Sequence, residues 1–363
     1  MPPPPLSRRT HPLVTFGRWL NRARLVLVNL VFFFFLGIFV LLLAAAFAGR
    51  EANEIRADSV LVVAPQGALV EQYSVDPLSR ALAGLSGEQP KQVQLRDLVE
   101  AIDRAAGDRR ISRILLLPDD LASGGFASLR EVGAALERFR AAGKPVLAWS
   151  TNLDQRQYYL AAHADRLLLD PMGGVMITGL ANYRLFYKDL LDKLGVDVHL
   201  FRVGEFKSAA EPYILDHASP EAKEADAYWM GGVWSTWIDE VAALRKLEPA
   251  ALRASVDELP ARIGAVHGDL ARLALDEHLV DGLATREELV ALLRGQGVPE
   301  GRKDEDFRQV SLARYVADRA PDLGAKPGVA IVVAEGEIGG GTRAPGAIGG
   351  ASTAKLIRGV RQD

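Results

Sequence analysis

A chain of 363 residues has room for one large domain or two ordinary ones. Hydrophobic residues at 49% and charged residues at 25% describe a globular chain with a real core, which excludes a disordered one. A formal net charge of -3 argues against general nucleic-acid binding, and the lack of any cysteine excludes disulfides, thiolate metal sites and a cysteine nucleophile.

Residues 2–5, PPPP, read as a short extended tail. Residues 25–48, LVLVNLVFFFFLGIFVLLLAAAFA, carry no charge and as a helix span roughly 36 Å, enough for the hydrocarbon core of a bilayer. Arg8, Arg9, Arg18, Arg22 and Arg24 precede this run, whereas Arg50 and Arg56 after it are diluted by Glu51 and Glu54. That asymmetry puts residues 1–24 in the cytoplasm and exports the rest. The competing reading is a cleaved signal peptide, with Ala46-Phe47-Ala48 as its cleavage site. The run exceeds the roughly 7–15 residues of a signal h-region, which favours an uncleaved anchor. Residues 49–58 are read as a linker.

The globular body is predicted to begin with a strand at Ser59–Val63 and a helix over Leu95–Ala105. Ile114–Leu117 is a short apolar run suited to a strand buried on both faces of a parallel sheet. Ser128 and Glu131 have the spacing of a capping box, Leu129, Val132, Leu136 and Phe139 follow at helical spacing, and Gly143 sits at the C′ position. Strands at Val146–Trp149 and Arg166–Leu169 flank a helix near Gln155–Ala162. A helix over Tyr183–Leu194 leads into a strand at Val198–Val203. The alternation specifies an α/β fold with largely parallel pairing. Ser219-Pro220-Glu221 then opens a helix that carries Trp229, Trp234 and Trp237 on one stripe, read as a packing face. Thr285 and Glu288 form a second capping box. The first domain is thus placed at 59–295, and the polar stretch 296–325 is read as a linker.

Beyond it the pattern restarts. Val329–Ile338 matches Leu61–Leu69, with Gly67 facing Gly336, and Leu356–Val360 matches Leu98–Ile102. Residues 326–363 are therefore expected to begin a second, truncated repeat. A terminal hairpin and helix capping the first domain is the alternative.

Lys207 follows the turn at Gly204 and precedes a short predicted helix. A lysine serves as a general base only when burial or neighbouring charge brings its pKa near neutrality, and the small neighbours Gly204, Ser208, Ala209 and Ala210 allow close approach. Read alone, such a lysine fits a solvated surface charge better than a catalytic base. Ser352-Thr353-Ala354-Lys355 fits S-x-x-K, but the companion S-D-N and K-T-G signatures are missing, so Ser352 is read as an N-cap. The amides of Ser123-Gly124-Gly125 can cradle an oxyanion or simply form a turn. His163, His199, His217, His267 and His278 show no metal-ligand spacing, and His163-x-Asp165 is too little for a metal site. No metal and no cofactor is expected.

The stretch Phe201-Arg202-Val203-Gly204-Glu205-Phe206-Lys207-Ser208-Ala209-Ala210-Glu211-Pro212, followed by Ser219-Pro220-Glu221-Ala222, resembles the lysine region of the signal peptide peptidases of family S49, in their long protease IV form. Tyr158-Tyr159-Leu160-Ala161, the run from Tyr187 to Leu194, and Leu279-Val280-Asp281-Gly282 fit as well. The resemblance implies a ClpP/crotonase-like fold with two tandem repeats per chain, assembled as a homo-tetramer. It implies a serine–lysine dyad at the inner membrane, with a periplasmic body that cuts signal-peptide remnants and other hydrophobic peptides. By it Lys207 is the base. The family's nucleophile lies in the second repeat in an Ala-Ser-Gly-Gly-Tyr-like context, absent from this chain. The equivalent place in the first repeat, Asp154-Gln155-Arg156-Gln157-Tyr158, has no serine. The expectation is a lysine-bearing front portion without its nucleophile, inactive alone. One alternative is an anchored, catalytically incompetent scaffold. Another is an acyl-CoA enzyme on the same fold, which the export signal disfavours.

Overall fold

The computed structural model describes residues 12–53, 55–74, 91–302, 305–318 and 329–362, and the PPPP tail lies outside them. The chain divides into two units, residues 1–55 and 56–363. The first holds α1 (Pro12–Asn53), a continuous helix of 42 residues. Within it, the 23 residues Trp19–Leu41 are long and apolar enough to cross a membrane. The helix also takes in residues 49–53, expected as linker, because Arg50, Glu51 and Ala52 are good helix formers and no proline intervenes.

The second unit opens with β1 (Ser59–Val63), β2 (Gly67–Val70), β3 (Gln92–Gln94), α2 (Leu95–Gly107), β4 (Ile111–Leu116) and β5 (Leu121–Ser123). Next come α3 (Phe126–Ala141), β6 (Val146–Asp154), α4 (Gln155–Ala161) and β7 (Arg166–Met176). A helical stretch follows, with α5 (Lys188–Lys193), α6 (Glu211–Ile214), α7 (Pro220–Arg245), α8 (Pro249–Asp257), α9 (Leu259–Ala265) and α10 (Leu270–Asp276). The order ends with β8 (Gly282–Leu283), α11 (Arg286–Gly295), β9 (Gln309–Ser311), α12 (Leu312–Ala317), β10 (Glu337–Gly339), β11 (Ala347–Gly349) and α13 (Gly350–Gln362).

A six-stranded sheet in the order β8-β7-β6-β4-β1-β9 is parallel throughout. Its central strands carry apolar side chains on both faces, and Val60, Leu61, Val63, Ile114, Leu115 and Leu116 are all buried. Val60, Leu115, Leu147 and Leu168 form one core cluster with Leu289 and Leu293 of α11 and with Phe307. The helices α2 and α3 pack on each other and bury Leu98, Ile102, Val132, Leu136 and Phe139. A smaller parallel sheet, β3-β2-β5, stands apart from the large one, and β10-β11 forms a third. This is the parallel α/β class that the alternation specified.

Several boundaries differ from expectation. Gly125, not Ser128, is the N-cap of α3, and the Ser128 hydroxyl instead donates to Glu71 Oε1 at 3.3 Å. The edge-on packing of Phe126 against Tyr159, at 5.1 Å, brings the helix start forward past the polar signal. Strand β7 continues beyond Leu169 because residues 170–173 bulge outward and the ladder resumes with Asn152 beside Gly174. Met172 stands 94% exposed at that bulge, and a Cβ on Gly173 would lie 1.7 Å from the Thr151 carbonyl oxygen. The helix expected over Tyr183–Leu194 shrinks to Lys188–Lys193.

The stretch 296–325 is no simple linker. Its described residues add β9 to the edge of the large sheet beside β1, and Phe307, Val310 and Tyr315 are buried. The hydrophobic positions were too widely spaced among charges to show a pattern, yet each fills the core. The repeat, by contrast, has a structural counterpart. Strand β2 pairs in parallel with β3, which runs straight into α2, and β10 pairs in parallel with β11, which runs straight into α13. Gly67 (φ 77°) opens β2 and Gly336 (φ 98°) directly precedes β10. A Cβ on either would sit 1.8 or 2.1 Å from the carbonyl oxygen of the residue just before the paired strand, Lys91 or Gly346. The helix register differs from the sequence match: aligning β11 on β3 sets Leu356 and Ile357 opposite Ala101 and Ile102. Val329–Val333 forms no strand, having no neighbour to pair with among the described residues, and Ile331 is 85% exposed.

Candidate active site

The 26-residue helix α7 begins where Ser219 accepts from the Ala222 amide and Pro220 supplies the fixed φ of the first turn, as the sequence pattern required. Its face Trp237, Ile238, Val241 and Ala242 is buried and Trp234 stacks on Trp237 at 5.1 Å, so this part of the tryptophan stripe is packing; Trp229 stays half-exposed.

The Lys207 loop lies against the start of that helix. Glu211, fully buried, accepts from the Ser219 hydroxyl at 2.7 Å and from the Ser219 amide at 3.2 Å. One nitrogen of Arg202 donates to Glu211 Oε1 at 3.5 Å and to the Lys207 carbonyl at 3.0 Å. Arg184 donates to the Ser208 hydroxyl at 3.0 Å, and the Tyr187 amide donates to the Pro212 carbonyl at 2.6 Å. Burial opposes the charge on Glu211, but Ser219 and Arg202 outweigh it and hold the carboxyl below the usual range.

Lys207 itself departs from expectation in two ways. It is exposed rather than partly buried, because its loop neighbours Val203, Glu205 and Phe206 are exposed too and no element lies over them. It also stands four residues before α6, not at the helix mouth, and Val198–Val203 is irregular rather than a strand. No described strand edge lies alongside that segment to pair with it. Glu211 has no role expected from sequence; a glutamate directly before proline, eight residues from a helix-capping serine, is the signal that points to it.

In the stretch Asp154-Gln155-Arg156-Gln157-Tyr158, Asp154 caps α4, accepting from the Arg156 and Gln157 amides while Gln157 closes the capping box. Arg156 also pairs with the Asp154 carboxylate at 2.7 Å. Ser123-Gly124-Gly125 is the turn from β5 into α3. His163 is buried with its Nδ1 3.2 Å from Glu137, and burial pushes its pKa down. Asp165 turns instead to the Val146 amide at 2.9 Å, and the other four named histidines are exposed. Among the described residues no three His, Asp or Glu side chains cluster as a metal site. Ser352 lies inside the first turn of α13 rather than at its cap, accepting from the Arg343 amide at 3.3 Å, while Lys355 is exposed.

Residues 138–297, which hold Lys207, Glu211 and Ser219, match the model of Peptidase family S49. This stretch is a Peptidase family S49 domain. The chain is 36% identical over 356 residues to Protease 4 of Salmonella typhi, covering 96% of itself and 57% of that protein. It is 30% identical to Protease 4 of Haemophilus influenzae over 348 residues, with 93% and 55% covered. It therefore spans little more than half the length of these relatives. The chloroplastic serine protease SPPA of Arabidopsis thaliana is 26% identical over 52% of this chain and 26% of its own. Solved structures that resemble the chain include the 1510-N membrane-bound stomatin-specific protease, a mutant with a substrate peptide (TM-score 0.36, 13% identity, 70% of this chain and 91% of that one). An enoyl-CoA hydratase/carnithine racemase from Magnetospirillum magneticum gives 0.31 at 15% identity, over 56% and 62% of the two chains. Both likenesses are too loose to build on.

Proposed function

We propose that this chain is the lysine-bearing part of a membrane-anchored serine endopeptidase acting on hydrophobic peptides, signal-peptide remnants among them. The observation that carries the reading is the 36% identity to a Protease 4 along 96% of the chain. Lys207 is exposed, its carbonyl is held by Arg202, and its ammonium makes no hydrogen bond or ion pair among the described residues, so it is open to a serine hydroxyl. In the neutral form its Nζ takes the proton from a serine hydroxyl supplied from outside residues 1–363. The serine oxygen attacks the amide carbonyl, the amine leaves with a proton, and water releases the acyl group. The apolar stretch Trp19–Leu41 anchors the protein, and the arginines before it keep the N-terminus in the cytoplasm with the body outside, at the inner membrane.

Lys207→Ala in the native membrane protein is expected to abolish cleavage of a hydrophobic reporter peptide while leaving the circular dichroism spectrum unchanged. Turnover at the parent rate would remove Lys207 from the mechanism. A second reading, a scaffold without activity, is favoured by one observation: Asp154 and Arg156 occupy the mouth of α4 where a nucleophile is wanted. No cleavage by the native protein under any condition that supports a Protease 4 would select it.

A further inference from the structure

A buried carboxylate is retained only where it is well paired, and Glu211 is fully buried in a segment whose neighbours are mostly exposed. Its partners run in a chain. Ser219 caps the long helix α7 and donates its hydroxyl to Glu211 Oε1 at 2.7 Å. The same oxygen receives Arg202 at 3.5 Å, and the same Arg202 nitrogen holds the Lys207 carbonyl at 3.0 Å. The positive end of the helix dipole favours a carboxylate at this place. The rest of the loop is held by short-range turns, such as the Ser208 amide to the Phe206 carbonyl at 3.1 Å, and by Arg184, itself outside any helix or strand, on the Ser208 hydroxyl at 3.0 Å. Among the described residues no other hydrogen bond ties the Lys207 loop to a long, packed element.

We propose that Glu211 is a positioning residue for Lys207, joining the N-terminus of α7 to Arg202 and through it to the lysine backbone. The inference rests on the reading of Lys207 as the base. It predicts that the carboxylate sets where the ammonium points without itself touching the peptide. Positional errors of about 1 Å can cost a hundredfold in turnover without weakening substrate binding.

The test uses the native membrane protein in detergent with a quenched hydrophobic peptide. Glu211→Gln is expected to lower kcat about ten- to hundredfold with KM unchanged. Glu211→Asp is expected to restore part of the loss, since the anion is kept. Arg202→Gln, at a partly exposed site where the fold tolerates change, is expected to lower kcat similarly, and the double substitution is expected to be no worse than either alone. Parent kcat in Glu211→Gln or in Arg202→Gln overturns the proposal, as does a double variant in which the two losses multiply, or a loss in which KM rises with the fall in kcat. Lys207→Ala run beside them separates the two ideas. If it is inactive and Glu211→Gln is normal, only the positioning role fails. If Lys207→Ala turns over normally, the base reading fails and takes the positioning role with it.

Discussion

Asp108 accepts from the Arg110 side chain at 2.8 and 3.1 Å, from the Arg110 amide at 2.9 Å and from the Tyr315 hydroxyl at 3.0 Å. The Arg110 guanidinium, more than the others, holds its carboxyl at about 2, against the cost of burial. The unfolded value is about 3.9, so the folded state binds the proton less tightly. The stabilisation is therefore complete above about pH 4 and is lost as pH falls from there toward 2. Arg110 is partly exposed, which leaves about 1–2 kcal/mol after solvent screening. Asp108→Asn is expected to lose that amount at pH 7 and to flatten the stability profile between pH 4 and 2, both read by urea denaturation. An unchanged profile would mean the pair contributes nothing. Local pattern made some single residues legible: Ser219 and Thr285 cap as expected, because a cap depends on neighbours within four residues. Glu211 was not, because its partners fold back from eight and nine residues away, and the Tyr315 contact of Asp108 was not, because it crosses from another element.

The β2-β3-α2 unit shows what a short element demands. Gly67 approaches the Lys91 carbonyl so closely, and at φ 77°, that any side chain must push the paired strand away. Gly67→Ala is expected to destabilise the body by at least about 2 kcal/mol, combining left-handed strain with the clash. A loss below about 0.5 kcal/mol would show that β3 can shift freely. Phe307→Ala, in the stretch expected as linker, is expected to cost about 3–5 kcal/mol, as for any fully buried phenylalanine. A neutral outcome would return that stretch to the status of a connector. Elements with continuous apolar runs or local caps, such as β1, β4, α2 and α11, were legible because burial on both faces leaves a pattern in one segment. The extension of β7 was not: Asp170-Pro171-Met172-Gly173 has the composition of a turn, and only pairing with β6 resumes the strand. Val198–Val203 misled in the opposite direction, since apolar alternation signals a strand only where another strand stands beside it.

At the scale of the molecule, that same misleading stretch is the informative one. Tyr183 is 93% exposed, Phe201 96% and Val203 85%, with Phe206 half-exposed beside Lys207. Large apolar side chains concentrated in one segment mark a surface meant to be covered. A lysine base also needs a site shielded from water, and Lys207 in the single chain has none. Both requirements are met at once if copies of the protein assemble through this segment. Phe201→Asp combined with Val203→Asp is therefore expected to convert the detergent-solubilised protein from an oligomer to a monomer in analytical ultracentrifugation. Turnover should fall with it, although neither side chain has a part in the chemistry. Should the parent protein sediment as a monomer, the exposed segment would instead be a surface for substrate. In that case the same substitutions would raise KM while leaving the sedimentation coefficient unchanged.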